Sequence, residues 1–238
     1  TDTLSYVTDS VTTSGSFIAP DGTTKYYTSA LRYRCDGVLD TQKPIVENID
    51  AICSSGNGTL TYDNKTGLFK VLVNRPMDID EEANAFLFNA DNIVSAITVS
   101  TTDLYSLYNF SEITFANYLQ EDGSDTIFVN AQDTLPNEPT SGISITLPMT
   151  RTRYRAGDIG NVQLQQSRLG TVVTFTGDHS TMTVDVGDFV KVSDELKGWD
   201  QKIFRVMRIT EQERAGSVTC KFTLREYDST VFDEVMYY

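Results

Sequence analysis

The chain holds few residues of the kind that catalyse reactions. Its single histidine, His179, lies in Gly177-Asp178-His179-Ser180, a run of turn-forming residues between two strand-like segments. A Ser-His-Asp triad or a multi-histidine metal site would have to be built on this one residue. We therefore interpret His179 as a solvated loop residue and predict no catalytic role for it.

Four carboxylates lie close together after Pro76: Asp78, Asp80, Glu81 and Glu82. Two carboxylates held roughly 5–10 Å apart can hydrolyse a glycosidic bond when a buried cleft raises the pKa of one of them. Acidic residues also favour the N-terminus of a helix, where they interact well with the helix dipole. Because this segment reads as an exposed linker or the start of a short helix, we interpret the carboxylates as a solvated acidic surface.

The three cysteines, Cys35, Cys53 and Cys220, are widely spaced and form no CxxC motif. This spacing excludes a zinc knuckle and gives no support for a disulfide framework. One cysteine must be unpaired within the chain, which favours synthesis in a reducing compartment. With one histidine and scattered cysteines, the sequence predicts a protein that is not an enzyme and that has no cofactor and no metal site.

Four arginines form a local basic patch in the sequence: Arg151, Arg153, Arg155 and Arg168. The chain as a whole has 19 basic and 33 acidic residues, with a net charge of -14. Non-specific affinity for nucleic acid comes from lysine and arginine, so this balance opposes a protein that grips phosphate backbones. We therefore predict that the four arginines lie at a subunit interface, against an acidic neighbouring chain.

The length of 238 residues corresponds to one or two domains. Hydrophobic residues make up 39% of the chain, which excludes a disordered protein. No apolar run approaches the roughly 18 residues of a membrane span. The first residue is Thr1, which indicates that the N-terminus is processed, trimmed or cut from a longer protein.

The first ninety residues alternate between turn-forming and apolar segments. We predict a lead-in hairpin within residues 1–33, turning at Pro20-Asp21-Gly22, as the end of a preceding domain. A small α+β domain follows at 34–89. It contains a helix over 45–53, opened by Pro44, and a hairpin with strands at 59–62 and 68–73. The acidic stretch 76–90 is expected to be irregular.

The remaining residues, 90–238, read as a β-barrel domain with one flanking helix near 151–168. The helix contains Gly157 and Gly160, which weaken it. Several short apolar or alternating segments at close spacing predict the strands. The clearest of these segments are 110–118, 126–130, 143–147, 171–176, 182–184, 189–192, 203–209 and 218–227. The predicted fold class is therefore mainly β (α+β), a helix-plus-hairpin unit followed by a barrel.

Several strings, in order along the chain, resemble the central tail-hub, or tip attachment and host-specificity, proteins of long-tailed bacteriophages. That family is related in fold to the baseplate hubs of contractile tails. The strings span roughly residues 33–233. They are Asp36-Gly37-Val38-Leu39-Asp40-Thr41, Gly58-Thr59-Leu60-Thr61-Tyr62, Tyr108-Asn109-Phe110 with Ile113-Thr114-Phe115, Leu164 to Arg168 with Thr171 to Phe175, Val186-Gly187-Asp188-Phe189-Val190, Lys202-Ile203-Phe204-Arg205-Val206, and Leu224-Arg225-Glu226-Tyr227-Asp228.

The resemblance implies a structural virion protein with barrel domains like those of the tail tube. In such a protein, a homotrimer forms the hub ring at the distal end of the tail and joins the tube, or a distal tail protein, to tip or fibre proteins. The resemblance also implies location in the virion tail, with assembly in the host cytoplasm. DNA would pass through without specific binding, since an acidic wall repels phosphates. Members of the family are usually longer than this chain.

A different class of function is the alternative. A β-sandwich that binds carbohydrate, or acts as an adhesin, could stack sugars on the aromatic residues of this chain, which has 12 tyrosines. Its one tryptophan, Trp199, lies in Gly198-Trp199-Asp200, a predicted turn between strands. A clean monomer that binds glycan would favour this alternative over the hub.

Overall fold

The secondary structure is mainly β. The computed structural model of the chain describes residues 10–11, 15–18, 24–27, 30–63, 66–101, 107–117, 123–131, 133–134, 138–214 and 217–233. The α-helices in these ranges are α1 (Ile45–Ser55), α2 (Ile79–Asn84) and α3 (Arg153–Arg168). The strands are β1 (Ser10–Val11), β2 (Gly15–Ile18), β3 (Thr24–Tyr27), β4 (Ala30–Leu31), β5 (Gly58–Asp63), β6 (Leu68–Val73), β7 (Phe86–Phe88), β8 (Thr98–Ser100), β9 (Phe110–Ala116), β10 (Ser124–Asn130), β11 (Gly142–Leu147), β12 (Val172–Gly177), β13 (Phe189–Asp194), β14 (Trp199–Arg214) and β15 (Ser217–Glu226). Short 3₁₀ helices occur at His179–Thr183, Glu195–Lys197 and Ser229–Phe232.

The first four strands form two antiparallel pairs. β2 pairs with β3, and β1 pairs with β4. The β2–β3 pair confirms the strands of the predicted hairpin, while its Pro20-Asp21-Gly22 turn lies outside the described residues. Immediately after β4, the buried guanidinium of Arg32 donates to the carboxylate of Asp158 in α3 across 3.2 Å. This ion pair fixes the end of the lead-in segment to the rest of the molecule.

The helix–hairpin unit, residues 45–73, consists of α1 and the antiparallel pair β5–β6. Pro44 takes the position before the first helical residue, where its lack of an N–H costs no hydrogen bond. The backbone N–H of Gly56 closes the helix by donating to the carbonyl of Cys53. Asn57 then turns the chain with a left-handed φ of 47°. These elements confirm the predicted helix and hairpin.

The predicted acidic stretch forms a capped helix and a strand. The carboxylate of Asp78 accepts from the N–H of Ile79, and the carboxylate of Glu81 accepts from the N–H of Asp78. The second of these bonds, together with a bond from the N–H of Glu81 to the carboxylate of Asp78, forms a capping box at the start of α2. β7 follows and pairs in parallel with β13, about one hundred residues later. The expectation of an irregular segment over 76–90 is wrong in this respect.

The largest sheet has six strands in the order β7-β13-β14-β15-β12-β8. Its inner face carries a cluster of phenylalanines in which Phe88 lies 4.9 Å from Phe175 and 5.0 Å from Phe222, between ring centroids. All three rings are at most 2% exposed. Burying three aromatic side chains in this way contributes several kcal/mol to the stability of this sheet.

A second sheet has three strands in the order β10-β9-β11, and α3 packs against it. β10 runs antiparallel and β11 parallel to β9. Alternate residues of the strands point towards α3, so that Ile113 and Leu147 are buried next to Ile159. A Cβ at Gly160 would lie 2.4 Å from Ile113, which explains why a glycine is present inside this helix.

The fold class is the predicted mainly β (α+β) class. Between described residues, no strand pairing closes either sheet, so the strands after residue 90 form two open sheets and no closed barrel. One predicted strand is wrong, since Met182 and Thr183 belong to a 3₁₀ helix. The carboxylate of Asp178 starts that helix by accepting from the N–H and the hydroxyl of Ser180. The proposed domain boundaries at 33 and 89 stay predictions.

Candidate assembly surface

The loop before α1 is fixed against the segment that leads into α3. The backbone N–H of Asp36 donates to the carbonyl of Met149 across 2.8 Å. A Cβ at Gly37 would lie 1.7 Å from the sulfur of Met149, so only glycine permits this approach without displacing the methionine. Asp36 and Gly37 are therefore in direct contact with Met149.

The start of α1 belongs to the same region. The side-chain amide of Asn48 in α1 donates to the carbonyl of Asp40 across 2.8 Å. The helix also contacts β11, the strand that leads into Met149. The 36–40 loop, the helix and the residues before α3 therefore form one continuous surface.

This region exposes many apolar side chains. Val38, Ile45 and Phe69 are 81%, 77% and 71% exposed. The apolar surface, as we name it, comprises these three residues together with Leu39, Val46, Ile52, Tyr62 and Val71. α1 packs against β5 with one side. Its opposite side, which carries Ile45 and Val46, is exposed. Groups of exposed apolar side chains are typical of interaction sites on soluble proteins.

The first arginines of the predicted interface lie at the start of α3 and just before it. Arg151 and Arg153 are exposed, and within the described part of the chain neither makes an ion pair. Arg155, two residues further into α3, is buried. Its guanidinium donates to the hydroxyl of Thr152 across 3.0 Å and lies 3.9 Å from the carboxylate of Asp36. Arg155 thus acts within the chain, where it ties α3 to the loop.

Arg168 lies apart from the others, at the far end of α3 and about 22 Å from the helix start along its axis. Its guanidinium binds the carboxylate of Glu138 with two nitrogens, at 2.6 and 3.1 Å, and donates to the carbonyl of Tyr108. The four arginines therefore do not form one cluster. Their role at a subunit interface stays a prediction, and the structure leaves Arg151 and Arg153 in position for it.

A polar junction holds the helix–hairpin unit on the rest of the molecule. The side-chain amides of Asn74 and Gln166 exchange two hydrogen bonds, at 2.7 and 2.8 Å. The side-chain oxygen of Asn74 also accepts from Arg205 in β14 across 3.0 Å. The backbone carbonyl of Asn74 accepts from the hydroxyl of Tyr33. This junction links β6, α3 and β14. Sequence analysis missed it, because these polar residues lie far apart in the chain and share no motif.

A cavity of about 470 Å³ lies between β6 and the six-stranded sheet. Arg205 lines it, stacks on the ring of Phe189 and donates to the carbonyls of Gly187 and Val73. Burial lowers the pKa of Arg205, and the nearby Arg75 adds to this effect. Arg205 thus donates to the neutral oxygens of Asn74, Val73 and Gly187, which makes it a structural link between the hairpin and the sheet.

The residues considered for catalysis are scattered. His179 is exposed at the start of its 3₁₀ helix, and the neighbouring Asp178 has its pKa lowered mainly by the hydroxyl of Ser180. Asp78, Asp80 and Glu82 are exposed around α2. Glu81 binds Arg75 through two bonds of 2.6 and 2.9 Å. No group of three or more potential metal ligands occurs among the residues that the structure describes.

The cysteines and the tryptophan take structural positions. All three cysteines are unpaired; Cys35 is exposed, while Cys53 and Cys220 are buried. Burial is the larger cause that raises the pKa of both buried thiols, followed by a nearby carboxylate. Trp199 begins β14 and packs at 5.4 Å from Phe204, which differs from the predicted turn. Among the described helices, none is long and apolar enough to cross a membrane.

No protein-family model and no curated protein matches this sequence. Solved structures do match its fold. A chain in the virion of a native gene transfer agent particle matches with a TM-score of 0.59 and 13% identity, over 80% of this chain and 40% of its own length. A tail protein from Neisseria meningitidis MC58 matches with a TM-score of 0.56 and 16% identity, over 83% of this chain and 59% of its own.

The 43 kDa tail protein of prophage MuSo2 from Shewanella oneidensis matches with a TM-score of 0.50 and 12% identity. The match covers 89% of this chain and 58% of the other. This chain therefore spans roughly half the length of the structures it resembles, between 40% and 59%. Its fold is one found in tail proteins, one of them from a prophage, and in the virion of a gene transfer agent particle.

Proposed function

We propose that this chain is a structural protein of a virion tail. The observation that carries the proposal is the fold itself, which matches two tail proteins and a virion chain over 80% or more of this sequence. The arrangement of the described residues is consistent with such a role, since their most distinctive feature is an exposed apolar surface of the kind used in assembly.

Within the tail, we propose the position of the central hub. A homotrimer of this chain forms a ring at the distal end of the tube and joins it, or a distal tail protein, to tip or fibre proteins. The ordered sequence strings that resemble hub proteins support this position. Three of them fall at structural junctions: Gly37 against Met149, Gly187 against Leu72, and Arg205 on Asn74.

The hub proposal includes a wall around the DNA exit channel. Acidic residues exceed basic ones by 14, so the ring repels the phosphates of the genome as it passes and does not hold it. The proposed role needs no catalysis and no cofactor. Assembly takes place in the host cytoplasm, in keeping with three unpaired cysteines.

The test is the mass of the purified protein in solution. Light scattering after size exclusion, over a range of concentrations, is expected to show a species three times the mass of the 26.5 kDa chain. Co-expression with the tail tube protein of the same particle is expected to give complexes that contain both proteins. A chain that stays monomeric at every concentration and binds glycan would contradict the hub and support an adhesin.

A further inference from the structure

The outer face of the six-stranded sheet is basic in its central strands. The inner face holds the cluster around Phe175 and Phe222, and the 3₁₀ helix at His179–Thr183 lies on that side, because Thr181 packs against Gly177 there. Side chains alternate between the two faces of a strand, so the register identifies the outer residues of β12, β15 and β14. We name them the basic sheet face, which comprises Val172, Thr174, Thr176, Lys221, Thr223, Arg225, Arg205, Arg208 and Thr210.

The charge of this face is opposite to that of the chain, which carries a net charge of -14. The face contains three arginines and one lysine, and none of its residues is acidic. Arg205 and Arg225 are directly opposite each other in the register, and like charges in such a pair destabilise a sheet. Arg208 and Lys221 are exposed, and among the described residues neither they nor Arg225 forms an ion pair. Carboxylates from another chain would relieve the repulsion between these residues.

The start of α1 and the loop before it form a surface of the opposite charge. Val46, Glu47 and Asp50 are exposed and share one side of the helix, because residues three and four positions apart are neighbours on a helix. The carbonyl of Asp40 accepts from the side chain of Asn48, which fixes the loop against the helix. We name this region the acidic–apolar surface, which comprises Val38, Leu39, Asp40, Ile45, Val46, Glu47 and Asp50.

We propose that the acidic–apolar surface of one copy of this chain binds the basic sheet face of the next copy. The proposal rests on the proposed ring and names the contact that builds it. Residues 38–52 include three carboxylates and one basic residue, Lys43, so their charge complements that of the sheet face. Because the contact joins different faces of successive copies, it closes into a ring when the rotation between copies permits it. The apolar side chains supply buried area, and the charges select the face and its orientation.

A second acidic segment, α2, is less suited to the same face. Asp80 and Glu82 are exposed there, but the apolar residues of this helix are Ile79 and Ala83, of which one is large. The acidic–apolar surface exposes four large apolar side chains, which are between 52% and 81% exposed. A stable interface needs a buried apolar centre as well as complementary charge. We therefore assign the contact to α1 and use α2 as the matched control.

The first experiment measures the association of the whole protein by sedimentation equilibrium. Arg208→Glu with Lys221→Glu is expected to lower the association constant at least about tenfold. Adding Glu47→Lys with Asp50→Lys to this variant makes the two surfaces complementary again and returns the net charge to that of the wild type. Association is therefore expected to recover.

The control adds Asp80→Lys with Glu82→Lys to the Arg208/Lys221 variant instead. The net charge is again that of the wild type, and two exposed carboxylates of a helix are again replaced. We expect no recovery of association, because these residues lie outside the proposed contact. Circular dichroism and thermal unfolding check that each variant keeps its fold.

The second experiment tests the apolar part of the contact in the same assay. Val38→Ser with Leu39→Ser is expected to lower the association constant, because both side chains are exposed and lie within the acidic–apolar surface. Leu196→Ser is the control, at a leucine that is 97% exposed and belongs to neither surface. We expect this change to leave the association constant as it is.

The outcomes separate this inference from the proposed function. If the Arg208/Lys221 variant associates as well as the wild type, the sheet face is wrongly assigned while the ring stands. If the α1 substitutions do not restore association, or the α2 substitutions restore it equally well, the assignment to α1 is wrong. If the variant keeps its association but loses binding to the tail tube protein or to a labelled duplex, the occupant of the sheet face is that protein or nucleic acid. A monomeric wild type overturns the ring itself.

Discussion

Gly187 lies in the turn before β13, where both the backbone conformation and the close approach of the hairpin require a glycine. Its φ is +96°, and a Cβ there would lie 2.6 Å from both terminal carbons of Leu72 in β6. We expect Gly187→Ala to lower the free energy of unfolding by about 2–3 kcal/mol, measured by urea denaturation. Gly198→Ala is the control, because Gly198 has a φ of +66° and no neighbour within 4 Å. Equal losses for the two variants would contradict a role for the Leu72 contact.

The three thiols differ in their surroundings, and we expect their reactivity to differ accordingly. Cys35 is exposed, whereas Cys53 and Cys220 are 8% and 2% exposed. Burial raises the pKa of the two buried thiols, which lowers the fraction of reactive thiolate near neutral pH. Iodoacetamide is therefore expected to modify Cys35 alone in the native protein and all three in urea, as read by mass spectrometry. Rapid native labelling at Cys220 would show that the sheet opens.

Among the elements, the helix–hairpin unit depends on a few polar contacts for its position. Replacing Asn74 with alanine removes two bonds to Gln166 and one from Arg205. We expect this change to lower the free energy of unfolding by about 1–2 kcal/mol, since the half-buried side chains of Gln166 and Arg205 lose their partner. Hydrogen exchange is expected to quicken in β5 and β6 more than in β14. Asn130→Ala, at an exposed position of β10, is expected to cost less than about 0.5 kcal/mol.

Elements with local signals could be predicted from the sequence, whereas elements that depend on distant partners could not. α1 is bounded by Pro44 and Gly56, and the left-handed Gly67 lies in the turn of the β5–β6 hairpin. A short stretch of sequence is therefore enough to predict each of these elements. β7 has no such signal, because its pairing partner is β13. The arginines show the same limit at the candidate site. Spacing along the chain could not indicate that Arg168 turns inward to Glu138.

At the scale of the whole molecule, the net charge of -14 predicts how the protein meets DNA. Proteins that bind duplexes without sequence preference usually do so with dissociation constants of about 1–100 µM at physiological salt, through lysine and arginine. We expect this protein to bind more weakly than about 100 µM, so that the mobility of a labelled duplex in a native gel is unchanged. A shift that disappears in Arg151→Glu with Arg153→Glu would instead assign the basic residues to nucleic acid.

The parallel pairing of β7 with β13 also determines when the chain can fold during its synthesis. About one hundred residues separate the two strands, and the ribosome takes about 5–20 s to add them. In the same way, β8 can pair only after β12 has been synthesised. Asn74 can form its hydrogen bonds only after Gln166 and Arg205 have been synthesised. Throughout this interval β7 and β8 lack their partner strands, and the hairpin lacks the contacts made by Asn74. The protein is therefore most dependent on chaperones, and most prone to aggregation, while its N-terminal half has been synthesised and its C-terminal half has not.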